Sequence, residues 1–349
     1  MSSSNTFSYR HWGMVSMYSV SHFLVDFACA FFMFRAVSGT PDGYLGVLLY
    51  NFCAFAMQMP LGIIADRCDK NHLFAAAGCL IVVAAYSLWG FPALAAAALG
   101  TGNALFHLGG GIDVLNISEK KMGALGVFVS PGAFGIFLGT LLGRGGSAAA
   151  MPALLPAVAA AALLILVLRK ANSEAYTRNA PFSLETKIPG KALPAAACFF
   201  IVVCLRSYMG LSMDFPWKAT ALLGVALVCA VAFGKAAGGF LADRFGAGRT
   251  TAVSLGLAAL LFLWGQTPLP GIAATFLFNM TMPVTLWCMA GIFPKAKGFS
   301  FGLLTFGLFL GFLPVYLDAK IPAGIPWLFS AGAAISLAFL LAGLRKAKA

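Results

Sequence analysis

The chain is a succession of long apolar runs separated by short polar breaks, and the runs are of bilayer length. A membrane-spanning helix needs roughly 20 apolar residues, and on that measure hydropathy divides the sequence into about twelve runs. They lie near 12–37, 43–65, 72–91, 93–115, 122–143, 150–169, 193–213, 219–242, 249–266, 270–290, 298–317 and 324–344. No window alternates apolar and polar residues as the strands of a membrane β-barrel do. In lipid each backbone amide must find its partner within the chain, which leaves helices. The pattern therefore predicts an all-α integral membrane protein. The clearest polar stretch, 170–192, carries Pro181 and Pro189 and falls near the midpoint. It reads as a linker between 1–169 and 193–349, each holding about six of the runs.

The second run ends on Gly62-Ile-Ile-Ala-Asp66-Arg67, and the eighth on Gly239-Phe-Leu-Ala-Asp243-Arg244. In both places a glycine stands one turn before an Asp-Arg pair and a new apolar run follows within a few residues, which describes a tight charged hairpin. A second echo, Phe134-Gly-Ile-Phe-Leu-Gly139 and Phe306-Gly-Leu-Phe-Leu-Gly311, supports an internal duplication. The glycine pairs Gly135/Gly139 and Gly307/Gly311 have the small-xxx-small spacing that permits close helix approach. They are expected to line the seam on which two repeats rock.

Composition agrees: 60% hydrophobic residues, 10% charged and a mean hydropathy of +0.90 leave no charged exterior for a soluble domain. The net charge of +12 has a topological explanation. With the N-terminus inside, most basic residues, including Arg67, Lys70, Lys120, Lys121, Arg169, Lys170, Arg244 and Arg249, fall on the inner side. Arg35, Arg144, Lys218 and Lys320 fall at the opposite ends. This asymmetry places both termini in the cytoplasm and removes the need for a nucleic-acid partner. The polar start of the chain runs into a full-length span and does not read as a removable signal. The eight cysteines are scattered without a Cys-x-x-Cys pair, so neither a disulfide framework nor a metal site is expected.

Gly234-Lys235-Ala236 lacks the Ser/Thr and spacing of a phosphate loop, which argues against an ATP-driven pump. With four histidines and no His-Glu-x-x-His, an intramembrane enzyme is not expected either. Two readings remain: a secondary transporter, or a sensor or scaffold built on the same bundle.

Twelve spans in two halves, with Gly-x-x-x-Asp-Arg after the second and eighth, resemble the major facilitator superfamily of secondary transporters. The resemblance covers the whole chain. It implies alternating access, with the hairpins Gly62, Asp66, Arg67 and Gly239, Asp243, Arg244 locking the cytoplasmic side in the outward-open state. Cys68-Asp69 depart from the glycine and basic residue usual after the first hairpin. Ser21-His22-x-x-x-Asp26, Gly100-Thr-Gly-Asn103-Ala-Leu-Phe-His107 and Arg206-Ser-Tyr-Met-Gly-Leu-Ser-Met-Asp-Phe-Pro216 are similar to segments of the fosmidomycin-resistance type of exporter, although Leu108-Gly-Gly-Gly departs from it. The resemblance implies export, in a bacterial inner membrane; the driving ion is read from Asp26 as a proton, and no cofactor is expected. An uptake carrier or facilitator of an organic anion or metabolite is the alternative. A monomer is expected, with a small-molecule substrate and the lipid bilayer as its partners.

Charged residues inside a bilayer are costly and usually face a cavity or a partner. Asp26 lies midway along the first run, and His22 sits one helical turn earlier on the same face. Such a pair can exchange a proton; alternatively it only holds helices together. The superfamily packs helices 1, 4, 7 and 10 around a cavity, which would gather Asp26, His107, Arg206 and Asn279. His107 joins the proton-coupling candidates; Arg206, Asn279, Asn103 and Lys235 are the substrate candidates. Arg206 is either a bidentate receptor for a carboxylate or phosphonate or the partner of Asp26 or Asp214. Lys235 can instead snorkel to the inner face.

Overall fold

The computed structural model describes residues 9–118, 121–146, 149–171, 177–186, 188–322 and 324–348. Lys120, the polar start of the chain and part of the linker lie outside these residues. Every regular element described is helical. In chain order the helices are α1 (Arg10–Val37), α2 (Gly43–Cys68), α3 (Asn71–Leu88), α4 (Pro92–Ile117), α5 (Gly123–Gly145), α6 (Met151–Ala171), α7 (Ala192–Ser212), α8 (Ala221–Phe245), α9 (Ala247–Phe262), α10 (Pro268–Ile292), α11 (Lys297–Tyr316) and α12 (Pro326–Ala347). Ten of them are long and apolar enough to cross a membrane, α4 and the shorter α9 being the other two. In α4, every residue from Leu108 to Ile117 is buried.

Local sequence explains the boundaries. Pro92 and Pro268 open α4 and α10, where a missing N–H costs no helical bond. The first hairpin turns at Asp69 (φ 48°) and the second at Gly246 (φ 87°), so the departure at Asp69 keeps the positive φ with an acidic residue. Three helices are interrupted within their length, α2 by a π-helical turn at Phe52–Ala56. α5 stops at Val129 and resumes at Gly132, because Pro131 has no N–H to continue the ladder. α10 is interrupted between Asn279 and Met282, just before Pro283.

Gly135, Gly139 and Gly143 lay α5 along α1, where added β-carbons would strike the carbonyls of Phe23, Phe27 and Phe31 in turn. Gly311 does the same for α11 against Cys204 of α7. These glycines therefore pack helices within α1–α6 and within α7–α12, which corrects their expected place on the seam between the repeats. That seam is made where α2 meets α11 and where α5 meets α8. Shifting each helix number by six, α2 to α8 and α11 back to α5, converts the first contact into the second, as a duplicated bundle requires. The close approach there depends on Gly62, Gly298 and Gly302 in one contact and on Gly239, Gly123 and Gly126 in the other.

Candidate functional site

The repeated motif acts across this seam. Gly62 brings α2 against the backbone of Gly298, and one turn later both oxygens of Asp66 accept the amides of Gly298 and Phe299, at 2.8 and 2.9 Å. Gly239 brings α8 against Met122, and Asp243 accepts the amides of Met122 and Gly123 at 2.6 and 2.9 Å. Each aspartate thus caps a helix of the other set, where amide donors and the helix dipole favour an anion. The motif arginines do something else. Arg67 stacks over Phe182 and Arg244 over Phe245, at 4.8 and 5.3 Å from the ring centroids, and neither forms an ion pair among the described residues. At the far ends of α2 and α11, the Tyr44 and Tyr316 rings stack with centroids 3.9 Å apart, and each hydroxyl donates to the other residue's carbonyl. The α2–α11 contact is therefore closed at both ends.

The break at Pro131 exposes three successive carbonyls of α5, and three side chains use them. Ser19 donates to Val127 at 3.2 Å, His22 Nδ1 lies 2.8 Å from the Phe128 oxygen, and Lys235 Nζ donates to Val129 at 3.3 Å. Lys235 thus points toward α5 inside the bundle, and Asp26 and Arg206 both lie within its electrostatic range.

His22, Asp26 and His107 form one cluster. His22 Nε2 is 3.1 Å from Asp26 Oδ2 and 2.8 Å from His107 Nε2, which in turn is 3.7 Å from Asp26 Oδ1. Asn103, grouped by sequence with the substrate candidates, donates to Asp26 Oδ1 at 2.9 Å. The carbonyls assign the tautomers. His22 Nδ1 faces the Phe128 oxygen and His107 Nδ1 faces the Asn103 oxygen, at 2.8 and 2.9 Å. A carbonyl only accepts, so both Nδ1 atoms carry hydrogen. Two neutral rings would then set the Nε2 lone pairs against each other, and one further proton between them resolves the conflict. With that proton the cluster of one carboxylate and one imidazolium is neutral, the condition a bilayer interior favours. Gly132, directly after the α5 break, forms the wall: a β-carbon there would collide with His22 Nε2 and Asp26 Oδ2.

Arg206 is buried on α7 and donates to the hydroxyls of Thr281 and Thr285, at 3.2 and 3.1 Å, beside the α10 interruption. It forms no ion pair with Asp26, Asp214 or another carboxylate among the described residues. Asn279 turns its amide back to the Thr275 carbonyl and packs against Gly234, beside Lys235, with no hydrogen bond to the Asp26 cluster.

Sequence reasoning missed Gly132 and a polar network around Asn179. The Asn179 carboxamide accepts from Asn71 and Asn116 at 2.9 and 2.8 Å and donates to the Ala65 carbonyl at 3.2 Å, while its backbone amide donates to Asp69 at 2.7 Å. Asn71 also donates to Asp113, which accepts from Tyr18 as well. Farther along the linker, the Ser183 amide meets the Lys295 carbonyl and Glu185 pairs with Lys295 at 3.1 Å. The Lys295 ammonium holds the exposed Glu185 carboxyl below its ordinary range. Ser130-Pro131-Gly132 inside an apolar run was the available signal for the α5 break; a single asparagine in a polar linker gave none.

No protein-family model matches the chain, nor does any curated protein. Solved structures do. The E. coli fucose:proton symporter FucP superposes with a TM-score of 0.65 at 12% identity, covering 95% of this chain and 98% of that one. The human organic anion transporter MFSD10 gives 0.65 at 16%, covering 95% and 99%. A bacterial homologue of the iron transporter ferroportin gives 0.62 at 14%, covering 96% and 98%. At such identities the likeness is one of fold. The chain is a multi-pass membrane protein with the fold of major facilitator superfamily transporters.

Proposed function

We propose that the protein is a proton-coupled secondary transporter of small anionic organic molecules, working by alternating access between halves 1–169 and 193–349 joined by the linker 170–192. About twelve spans with both termini in the cytoplasm fit the helix lengths and the distribution of basic residues. Arg206 carries the anion reading: a buried guanidinium held by two hydroxyls and, among the described residues, by no carboxylate leaves its charge for a ligand, and Lys235 adds a second cation in range. Asp26, His22 and His107 are the proposed proton site, with Asn103 orienting the carboxylate. Export, and a place in a bacterial inner membrane, rest on the three segments similar to fosmidomycin-resistance exporters.

Counterflow in proteoliposomes, with and without a pH gradient, tests the reading, after a thermal-shift screen of carboxylates and phosphonates selects the probe. Gradient-driven accumulation of an anion supports it. Exchange that ignores the gradient would mark a facilitator, and binding without movement a sensor.

A further inference from the structure

We propose that His22 Nε2, His107 Nε2 and an Asp26 carboxylate oxygen form a binding site for one divalent transition-metal ion of the zinc, cobalt or iron class. The orientation of the ligands is the first argument. Both imidazoles donate through Nδ1 to backbone carbonyls, of Phe128 and Asn103, so in both neutral rings the free lone pair is on Nε2. Hydrogen bonding of the far nitrogen to a carbonyl is the support that fixes a metal-binding histidine, and here it occurs twice. Asn103 supports the carboxylate in the same way.

Spacing is the second argument. Ligand atoms about 2.0–2.1 Å from a tetrahedral ion lie roughly 3.3 Å from one another. The two Nε2 atoms lie 2.8 Å apart, His22 Nε2 is 3.1 Å from Asp26 Oδ2 and His107 Nε2 is 3.7 Å from Asp26 Oδ1, and with one ligand atom taken from each residue the three lie within 4.8 Å of one another. Small shifts of two side chains would seat an ion. The third argument is the close approach that Gly132 permits: His22 Nε2 and Asp26 Oδ2 both lie where a β-carbon of residue 132 would stand, so the absence of a side chain there is what lets the two donor atoms converge.

Two imidazoles and one carboxylate select borderline ions over magnesium or calcium, which prefer all-oxygen sites, and leave coordination positions open for an anion. No metal site is expected from the sequence, which has neither a Cys-x-x-Cys pair nor a His-Glu-x-x-His run. These ligands come from two helices, and their shared point appears only in the fold. The inference goes beyond the anion-transport reading and does not depend on it.

The test is titration of the purified, metal-free full chain, without a histidine tag, with Co2+ followed by visible absorption and with Zn2+ followed by calorimetry. One ion per chain is expected, with a nitrogen–oxygen cobalt spectrum and no competition from excess Mg2+. His107→Gln, His22→Gln and Asp26→Asn should each weaken binding by more than the ~10–100-fold that loss of a supporting group costs, whereas His11→Gln and His72→Gln should not. Gly132→Ala keeps every ligand residue but its methyl displaces His22 Nε2 and Asp26 Oδ2, so it too should abolish binding. No stoichiometric binding to the wild-type chain, or undiminished binding by both His107→Gln and Gly132→Ala, overturns the proposal. His107→Gln and Gly132→Ala keep it testable if His22→Gln does not fold. Proton-driven transport in metal-free vesicles is scored separately, so either proposal can fail without the other.

Discussion

Asp66 and Asp243 make the same contact with two different helices: each carboxylate accepts two consecutive backbone amides at the start of a helix from the other set, α11 for Asp66 and α5 for Asp243. The contact between the two sets at this end of the molecule is therefore a pair of helix caps. Its strength depends on the carboxylates and on the motif glycines that let the helices approach.

Asp66→Asn or Asp243→Asn should loosen this end. An amide offers one acceptor oxygen and no net charge to a helix N-terminus, and losing a cap costs about 1–2 kcal/mol, a roughly 5–30-fold shift in the conformational ratio. Cysteine probes near Met122 and Phe299 should label faster in each variant, and faster still in the double variant because the two caps are separate. Unchanged labelling in all three would remove the caps from the gate.

The motif's place was legible in the sequence because a repeated Gly-x-x-x-Asp-Arg stands out against apolar helices. Its action was not, since the partners of Asp66 are backbone amides of Gly298 and Phe299, which carry no side-chain signal. The His22–Asp26 turn was readable from helical spacing alone. His107 came from resemblance, and its contact with His22 follows from the packing of α1 against α4, which no local pattern encodes. Asn103 was assigned to substrate for the same reason: a sequence names a helix face before it names what that face meets. Asn279 was grouped with Arg206 by helix number, whereas the interruption of α10 gives Thr281 and Thr285 the contact instead.

Arg206→Lys should keep the fold and lose affinity. Lysine retains the charge but cannot serve two threonine hydroxyls and a bidentate anion from one plane. Loss of a charged hydrogen bond is worth about 1.5–3 kcal/mol, so a carboxylate or phosphonate identified by thermal shift should bind roughly 10–100-fold more weakly by calorimetry. Wild-type affinity in a well-folded Arg206→Lys protein would exclude the guanidinium as receptor.

Asn179→Ala should open the same end as the aspartate variants, by another route. Removing the carboxamide leaves Asn71 and Asn116 short of a partner in a half-buried site, at a cost of about 1–3 kcal/mol. It also removes the side-chain bonds that tie the linker to α2, α3 and α4, leaving the backbone bond to Asp69, the Arg67–Phe182 stack and the Lys295 contacts. Protease cleavage within 177–186 and cysteine labelling near Met122 should both rise. The neighbouring Glu185–Lys295 pair predicts the pH response. Because Lys295 holds the Glu185 carboxyl low, the contact persists above the ordinary carboxylate range and is lost only in acid, as pH falls through the lowered value. Cleavage of the wild-type linker should therefore stay constant around neutral pH. If Asn179→Ala raises cleavage without changing labelling, the linker is merely attached to the gate and does not hold it.

Asp26→Asn addresses coupling most directly, because the geometry supplies the substitute with its own bonds. The new amide can accept from Asn103 as the carboxylate does, and its NH2 can donate to the His22 Nε2 that otherwise needs the shared proton. The variant should therefore fold, but it has no carboxylate to offset the charge of a proton shared by the two imidazoles. Uptake or efflux driven by a pH gradient should fall to background in proteoliposomes. Exchange of labelled for unlabelled substrate at equal concentrations moves no net proton and should continue. His22→Gln should give a milder loss with a displaced pH optimum, since Asp26 and His107 still face each other at 3.7 Å. An Asp26→Asn protein that still concentrates substrate at the wild-type rate would move the coupling site away from this cluster, leaving the imidazole pair a packing contact between α1 and α4.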